Sequence, residues 1–399
     1  MKAKGSVKVA GFRWAAAAAG IKRSGVLDLG LLVADKPVPA AAVFTTNRVK
    51  AAPVQLCQKR IAGGKVQALL VNSGNANACT GRAGYQAALS TTEAVARVLG
   101  VSSRYVLPAS TGVIGAPLPS RRIERAVAPL TKRLSATGWK AFSKAILTTD
   151  NGPKVAARTF TLASQRCTML GVAKGAGMIH PNMATTLAFV VTDVAASSQV
   201  LSAALRDACR HTFNTISVDG DTSTNDMILL MASGAAAAAP IPMQGAAYRH
   251  VVKALEQVLG ELATAIVSDG EGAEHTVRIE VTGLATHAAC ARVAETVARS
   301  VLVKTAIYGC DPNWGRFLMA VGNAGVDFDL SDVSVRIGHV PVVMAGHGVG
   351  KAAESRAARV MKQSAYAVEL CLGKGKGKAS YLTCDLGHTY VRINADYRS

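Results

Sequence analysis

Two adjacent threonines, Thr185 and Thr186, close a segment that begins at Lys174 and contains two glycines and a proline. Apolar runs with the length of buried strands flank this segment, at residues 167–173 and 187–191. Glycine and proline interrupt strand pairing, so spacing alone favours a shaped hairpin connection between two strands. The sharper interpretation is that Thr185 is a nucleophile presented at the start of the second strand.

A threonine hydroxyl needs a base, and the chain contains neither a GxSxG nor an HExxH motif. If the peptide bond between Ala184 and Thr185 breaks, Thr185 gains an α-amine with an unperturbed pKa of roughly 7.7–8.0, which can act as the base for its own hydroxyl. The break can be intramolecular: the Thr185 hydroxyl attacks the Ala184 carbonyl, the acyl group passes from nitrogen to oxygen as the peptide bond breaks, and water then hydrolyses the resulting ester. Strain in a loop that contains Gly177 and Pro181 would favour this step.

Other loops carry polar groups that suit acyl transfer. The loop at residues 109–115 follows a short predicted strand, and its Ser-Thr-Gly run is a place where exposed backbone N–H groups can hold an oxyanion. Glu271 lies between two glycines and offers a carboxylate, and the loop at residues 148–154 offers polar groups to a substrate. Considered alone, each of these loops is also an ordinary turn.

The segment 217–226 is rich in aspartate and hydroxyl residues. Asp-x-Asp can supply hard oxygen ligands to a cation, but no bidentate glutamate follows at the required spacing. Capping of a helix predicted at residues 227–232 is the more economical account. The eight cysteines form no CxxC pair, so structural zinc is not expected either. We therefore predict no metal site.

The formal net charge of +20 suits either a nucleic-acid-binding protein or an enzyme for carboxylate substrates. The sequence has no zinc-finger spacing, no basic region leading into heptads and no RNP-like motif, and aromatic residues make up only 5% of it. The densest basic run, residues 373–378, is expected to be a solvated hairpin turn, because a strand follows it where a phosphate loop needs a helix. No nucleic-acid partner is predicted.

Half of the residues are apolar, which indicates a globular protein. No run reaches the roughly 18 uncharged apolar residues of a membrane span, and no convincing signal peptide is present, so no membrane association is expected. Unpaired cysteines fit a reducing compartment. The expected location is the cytoplasm.

The apolar patterns predict paired strands at residues 26–34 and 40–45, with Pro37 and Pro39 in the turn between them. Helices are expected at residues 83–98, 120–134, 138–147, 198–213, 244–267 and 287–306, and later strands at residues 333–337, 366–372, 380–384 and 389–393. This order lacks strict βαβ alternation. The predicted class is α+β, with mixed or antiparallel sheets layered with helices.

The segment from Lys174 to Thr185 closely resembles the self-processing site of the bacterial ornithine acetyltransferase (glutamate N-acetyltransferase) family of arginine biosynthesis. The resemblance covers nearly the whole chain and includes the segments 20–22, 43–47, 71–78, 110–115, 148–150, 218–226, 311–316 and 394–399. So many motifs in one order make it far more specific than any single loop. It implies a sandwich of the aminopeptidase/ornithine-acetyltransferase type.

The resemblance also implies roles for individual residues. Thr185 would be the nucleophile, both for self-cleavage after Ala184 and for carrying the acetyl group. Thr111 and Gly112 would form the oxyanion hole. Substrate would be bound by a set of polar residues: Thr148, Lys174, Thr185, Glu271, Asn394 and Ser399. The physics agrees, because a lysine can pair with a substrate carboxylate and a glutamate with a substrate amine. The family commonly ends in threonine, and Ser399 keeps that hydroxyl.

The implied reaction is ping-pong transfer of an acetyl group from N2-acetyl-L-ornithine to L-glutamate, with no cofactor; some members of the family also use acetyl-CoA. The implied products of cleavage are an α chain, residues 1–184, and a β chain, residues 185–399, assembled as a heterotetramer of two α and two β chains. Two rivals stay open at this point. One is an amidase or aminopeptidase with an N-terminal nucleophile and water as acceptor, and the other is a basic nucleic-acid-binding protein.

Overall fold

The computed structural model describes residues 7–180, 186–236 and 239–396. The chain forms two compact units. The first contains Met1–Gly175, Pro181–Asn214 and Thr222–Ile266, and the second contains Ala176–His180, Thr215–Asp221 and Val267–Ser399.

The strands of the described residues are, in chain order, β1 (Phe12–Ala17), β2 (Leu29–Phe44), β3 (Lys65–Asn75), β4 (Val106–Val113), β5 (Lys154–Leu162), β6 (Gln165–Lys174), β7 (Leu187–Thr192), β8 (Ile216–Ser217), β9 (Met227–Ala232), β10 (Thr276–Gly283), β11 (Ser334–Ile337), β12 (Val340–Met344), β13 (His347–Gly348), β14 (Ala365–Cys371) and β15 (Gly375–Cys384). The α-helices of the same residues are α1 (Ala52–Ile61), α2 (Gly81–Leu99), α3 (Ser120–Thr131), α4 (Trp139–Ala145), α5 (Ser198–Arg210), α6 (Ala246–Ser268), α7 (His287–Arg299), α8 (Val301–Tyr308), α9 (Trp314–Gly322), α10 (Lys351–Met361) and α11 (His388–Ala395).

The first unit contains a mixed sheet in the order β4-β3-β2-β9-β7-β6-β5, with β1 paired to β2. β3 and β4 are parallel, as are β7 and β9, and the other neighbours are antiparallel. β6 and β7 pair with Lys174 opposite Leu187. The two buried strands that the sequence predicts on either side of residues 175–186 are therefore confirmed as antiparallel neighbours.

The side chains of β2 alternate between two cores. Leu31 packs with residues of α2 and α3 on one face of the sheet, and Leu32 packs with Trp14, Phe142 and Phe189 on the other. The Trp14 and Phe142 rings meet edge to face with centroids 4.9 Å apart, and Phe142 meets Phe189 in the same way at 5.9 Å. Burial of each such side chain contributes about 1.5–3 kcal/mol, so the sheet is a firm support for the loops at its strand ends.

The prediction of two strands with a turn at Pro37 and Pro39 is wrong, because β2 runs through both prolines without turning. Its pairing with β3 shifts register between Val33 and Val38, and Pro37 lies in this irregularity, where its missing N–H removes no ladder hydrogen bond. From Ala40 onward the strand pairs with β9 instead.

The helix predicted at residues 227–232 is also wrong. These residues form β9, which is buried throughout and lies between β2 and β7. A short, continuous apolar run has no periodicity that separates a buried strand from a buried helix. The aspartate-rich segment before it therefore precedes a strand and does not cap a helix.

Further differences concern helix ends and the C-terminal region. Helix α3 begins at Ser120, as predicted, but it ends at Thr131, before the predicted end at residue 134. The helix expected at residues 287–306 is two helices, because the Ser300 hydroxyl accepts the Val303 N–H and starts α8. The strand expected at residues 389–393 is helix α11, which places Tyr390 and Asn394 one turn apart, where their side chains hydrogen-bond to Asp219 and Glu271.

In the second unit the sheet order is β13-β12-β11-β14-β10-β15-β8. β10 is parallel to β14 and antiparallel to β15. Residues 373–378 are therefore not a hairpin turn, because the strands on either side of them flank β10 and do not pair with each other. Val277, Ile279 and Val281 of β10 pack in a core with residues of α7 and α9. Each unit is a mixed sheet layered with helices, which confirms the predicted α+β class.

None of the described helices combines the length and the hydropathy that a membrane crossing requires.

Candidate active site

A buried cluster of charges lies where β5 begins and β6 ends. Lys154 opens β5, Lys174 closes β6, and both ammonium groups approach Asp150. Lys154 Nζ donates to Asp150 Oδ1 at 2.7 Å, and Lys174 Nζ lies 3.9 Å from Asp150 Oδ2. Lys154 is 3% exposed and Lys174 is 8% exposed. Charges buried to this degree need partners, so the carboxylate determines where both lysines lie.

Two backbone groups complete the surroundings of this carboxylate. The Gly175 N–H donates to Asp150 Oδ1 at 2.6 Å, and the Thr148 N–H donates to Oδ2 at 3.1 Å. Burial alone raises the pKa of Asp150, but the charges of Lys174 and Lys154, together with the hydrogen bonds from Lys154 and Gly175, lower it to about 2. Asp150 is therefore ionised at neutral pH and ties the start of the segment after β6 to the loop before β5.

Lys174 has a second neighbour in the same unit. Its Nζ donates to Thr111 Oγ1 at 3.3 Å. The structure thus brings together Lys174 and Thr111, two residues to which the family resemblance gives adjacent roles. An ammonium group beside a hydroxyl is a suitable pair of donors for an anionic or carbonyl oxygen.

Gly112 occupies a position that no other residue fits. Its φ is +131°, and a Cβ would lie 2.3 Å from the Gly74 carbonyl carbon. The parallel pairing of β3 with β4 shifts register at this point. Such a bulge takes backbone groups out of the regular ladder, which is what an oxyanion hole needs. Thr111 and Gly112 lie within β4, whereas the sequence had suggested a loop after a shorter strand.

Buried amide side chains hold the backbone next to Thr111. Asn225 Nδ2 donates to the Ala76 carbonyl at 2.6 Å and to the Ser110 carbonyl at 2.8 Å. Ser110 Oγ donates to Asn72 Oδ1 at 2.6 Å. The ends of β3 and β4 are therefore held together by side chains from the segment before β9 and from β3 itself.

Asp226, the next residue, is a second buried carboxyl group in the first unit. Burial raises its pKa well above the ordinary range, although hydrogen bonds from Ser223 and the charge of Lys174 oppose this shift. Its Oδ2 has no hydrogen-bond partner among the described residues. The Met227 N–H donates to the Thr186 carbonyl at 2.9 Å. Asp226 therefore directly precedes Met227, the residue that binds the Thr186 carbonyl. Thr186 in turn directly follows the predicted nucleophile, Thr185.

The second unit holds another part of the predicted site. Glu271 is 8% exposed, and Asn394 Nδ2 of α11 donates to its Oε2 at 2.8 Å. The Glu271 N–H donates to the Ala176 carbonyl at 2.9 Å. A Cβ on Gly177 would lie 2.3 Å from Glu271 Oε2, so the glycine allows the segment after β6 to pass close to this carboxylate.

The predicted site residues are thus distributed in three groups. Thr111, Gly112, Thr148 and Lys174 lie near one another or share Asp150 in the first unit, and Glu271 and Asn394 are hydrogen-bonded in the second. Ala184, Thr185 and Ser399 lie outside the described residues.

Sequence reasoning gave no role to Asp150, Asn225 or Asp226, although all three lie in motifs that were noted. A carboxylate four positions before Lys154 was the available signal for Asp150. Nothing in the local sequence shows that Asn225 and Asp226 are buried, because the short apolar run after them does not distinguish a buried strand from a helix. No group of three or more metal-ligating side chains occurs in the parts of the chain that the structure describes.

Two mixed sheets layered with helices, with a buried lysine and carboxylate beside a threonine at strand ends, are typical of an α+β enzyme. The chain belongs to the ArgJ family, whose model matches residues 13–399. The family resemblance seen in the motifs is therefore confirmed.

Named relatives cover the chain almost completely. An "Arginine biosynthesis bifunctional protein ArgJ" from Syntrophotalea carbinolica is 47% identical over 393 residues, which cover 98% of this chain and 100% of the relative. A protein of the same name from Geobacter sulfurreducens is 47% identical over 395 residues, with 98% and 100% covered.

Solved structures match over shorter stretches. A crystal structure of the bifunctional ArgJ protein from Bacillus halodurans is 43% identical, covers 45% of this chain and 95% of its own, and has a TM-score of 0.43. An ornithine acetyltransferase complexed with ornithine from Mycobacterium tuberculosis is 39% identical, covers 46% of this chain and 97% of its own, and has a TM-score of 0.40.

Asp150→Asn is expected to lower the free energy of unfolding by about 3–5 kcal/mol at neutral pH, because it removes the buried carboxylate that Lys154 and Lys174 share. The folded-state pKa of Asp150 is depressed, so its contribution is present above the unfolded value near 3.9 and is lost as the pH falls toward about 2. Urea unfolding at neutral and acid pH measures the difference. Asp35→Asn is the control: Asp35 pairs with Arg13 at the exposed surface, where a pair contributes about 0–1 kcal/mol. Equal losses for the two variants would contradict the assignment.

Asp226→Asn is expected to have the opposite pH dependence. A carboxyl group whose folded pKa is raised costs stability once the pH exceeds the unfolded value near 3.9, because only the unfolded chain ionises readily. The amide has the same shape and no such cost. The stability of the variant relative to the wild type should therefore increase as the pH rises from the unfolded value near 3.9 toward neutral pH. A relative stability that falls over this interval would show that Asp226 is ionised in the folded protein.

Proposed function

We propose that the protein transfers the acetyl group of N2-acetyl-L-ornithine to L-glutamate in arginine biosynthesis, through an acetyl ester of Thr185. The observation that carries this proposal is the buried Lys174 ammonium 3.3 Å from the Thr111 hydroxyl, beside the bulge at Gly112. Membership of the ArgJ family, with relatives named for arginine biosynthesis, supports the same reaction.

In the first half-reaction the Thr185 hydroxyl attacks the acetyl carbonyl of N2-acetyl-L-ornithine, and the α-amine of Thr185 takes the hydroxyl proton. Thr111 and the backbone N–H of Gly112 hold the oxyanion; loss of one such donor typically costs about 2.7–4 kcal/mol of transition-state stabilisation. The bond from carbon to nitrogen breaks, the proton passes to the departing amine, and L-ornithine leaves. The amine of L-glutamate then attacks the ester carbonyl, the bond from the acetyl carbon to the Thr185 oxygen breaks, the amine proton returns to that oxygen, and N-acetyl-L-glutamate leaves. No cofactor takes part.

Charge complementarity supports the assignment of the binding residues. Lys174 binds the substrate α-carboxylate, and Glu271 binds the side-chain ammonium of ornithine. The Asn394 amide orients the Glu271 carboxylate through its 2.8 Å hydrogen bond. Thr148 and the hydroxyl of Ser399 complete the set of substrate-binding groups.

The nucleophile requires cleavage of the chain between Ala184 and Thr185. The products are the α chain, residues 1–184, and the β chain, residues 185–399, and two copies of each form a heterotetramer. Proposed site residues come from both sides of the cut, so neither chain has a complete site alone. The α-amine that cleavage generates supplies the base that the rest of the sequence lacks.

Acetyl-CoA is a second acetyl donor in this proposal. The relatives carry the word "bifunctional" in their name, which favours acetylation of L-glutamate from acetyl-CoA in addition to exchange with acetylornithine. All eight cysteines are free thiols, which supports a reducing compartment, and we place the enzyme in the cytoplasm.

Purified wild-type protein is expected to give two fragments that separate at Thr185, and Thr185→Ala is expected to stay intact and inactive. Intact-mass measurement distinguishes the fragments from the 41.2 kDa chain. Thr186→Val is the matched control, because it removes the neighbouring hydroxyl, which has no hydrogen-bond partner among the described residues, and keeps the shape. An intact wild-type chain with full activity would disprove the processing proposal, as would acetyl transfer by Thr185→Ala.

The same preparations separate the rival activities. Consumption of acetylornithine should require L-glutamate; consumption that water alone supports would identify an amidase. A parallel assay with acetyl-CoA and L-glutamate tests the second donor. Salt-sensitive retention on DNA without any acetyl transfer would favour the nucleic-acid-binding alternative.

A further inference from the structure

The Asp219 carboxylate binds the backbone of the described segment that precedes the proposed cleavage site. Its Oδ2 accepts the Met178 N–H at 2.6 Å, and its Oδ1 accepts the Ile179 N–H at 2.9 Å. These residues belong to the second unit, as does Asp219. One carboxylate therefore binds two consecutive backbone N–H groups of this segment.

Two more donors complete the surroundings of Asp219. The Asp221 N–H donates to Oδ1 at 3.1 Å, and the Tyr390 hydroxyl of α11 donates to Oδ2 at 3.3 Å. An ionised carboxylate offers about four acceptor positions, and four donors occupy them here. An asparagine could not make the same set of bonds, because its amide nitrogen would face two donors.

The peptide group of Ile179 is bound from its other side as well. The Val218 N–H donates to the Ile179 carbonyl at 2.8 Å, and Ser217 Oγ donates to the same carbonyl at 3.1 Å. Three consecutive residues, 217–219, thus bind both the donor and the acceptor of one residue. This is a strong local constraint on the chain direction at Ile179.

The constraint acts on a residue that is not in a relaxed conformation. Met178 has φ of +56°, in the left-handed region that residues with a Cβ rarely adopt, and its side chain is 41% exposed. Its own packing does not explain this conformation. Strained backbone persists where surrounding interactions impose it, and the bonds to Asp219 on Met178 and Ile179 are those interactions.

We propose that Asp219 is a positioning residue for self-cleavage: its carboxylate fixes residues 178 and 179 in the conformation from which the bond between Ala184 and Thr185 breaks. This inference rests on the proposed processing. Intramolecular attack is fast only when hydroxyl and carbonyl are held in the reacting geometry, so loss of a constraint upstream slows it. Asp219 takes no part in the chemical step itself.

Asp219→Asn tests the proposal in the full-length chain. Freshly synthesised protein is followed over time on denaturing gels, and the rate of conversion to two fragments is expected to fall between about 10- and 100-fold. The matched control is Asp221→Asn, the same change two positions away at an exposed side chain, which should cleave at the wild-type rate. Melting temperatures of all variants show whether each is folded.

A second substitution separates positioning from general support of the fold. Glycine adopts positive φ without steric cost, so Met178→Gly in the Asp219→Asn background should restore part of the cleavage rate. If Asp219 only stabilised the fold, Met178→Gly would not restore the cleavage rate. If Asp219→Asn does not fold, Tyr390→Phe decides the question, because it removes one donor to the carboxylate and keeps the ring; slower cleavage is expected.

The outcomes are distinct. Wild-type protein that never cleaves would overturn the proposed processing and this inference with it. Wild-type protein that cleaves, with Asp219→Asn folded and cleaving at the same rate, would overturn the role of Asp219 and leave the processing intact.

Discussion

The ion pair between Asp150 and two lysines is the constraint on which the first unit's site depends. An ionised carboxylate with no exposure is stable only because Lys154, Lys174 and two backbone N–H groups surround it. Lys174 lies at the end of β6, Lys154 at the start of β5, and Thr148 in the loop between α4 and β5. The position of Lys174, and with it the contact to Thr111, follows from satisfying this buried charge.

The balance of charge around Lys174 also explains which ligand the cluster suits. The pKa of Asp150 is lowered to about 2 by the two lysines, so this group is ionised, whereas burial raises the pKa of Asp226. The Lys174 ammonium shares Asp150 with Lys154 and lies beside the Thr111 hydroxyl, so it can also pair with a ligand carboxylate, which ornithine and glutamate both have. The charge of Lys174 acts on both Asp150 and Asp226, whose pKa values are shifted in opposite directions. Such opposite shifts are typical of enzyme active sites.

The sequence was sufficient to predict the class of fold and the family, because the motifs and their order are visible in the sequence without knowledge of three-dimensional contacts. The sequence was insufficient where burial within the folded protein determines the type of element or the role of a side chain. The run at residues 227–232 is equally apolar as a strand or a helix, and its position between β2 and β7 comes from pairing across the sheet. For the same reason the local sequence does not show that Asn225 holds the Ser110 carbonyl, or that Asp219 binds the backbone of Met178 and Ile179. Local patterns identify chemical groups; long-range pairing determines which of them are buried together.

The central claim is that acetyl groups travel on Thr185. Its most direct test is the intact mass of the fragment that begins at Thr185, recorded after brief mixing with N2-acetyl-L-ornithine and again after L-glutamate is added. The account predicts a fragment heavier by one acetyl group, located by peptide mapping at Thr185, which returns to its original mass with glutamate. The account would be contradicted if acetyl groups reached glutamate at the full rate while the fragment that begins at Thr185 never carried an acetyl group.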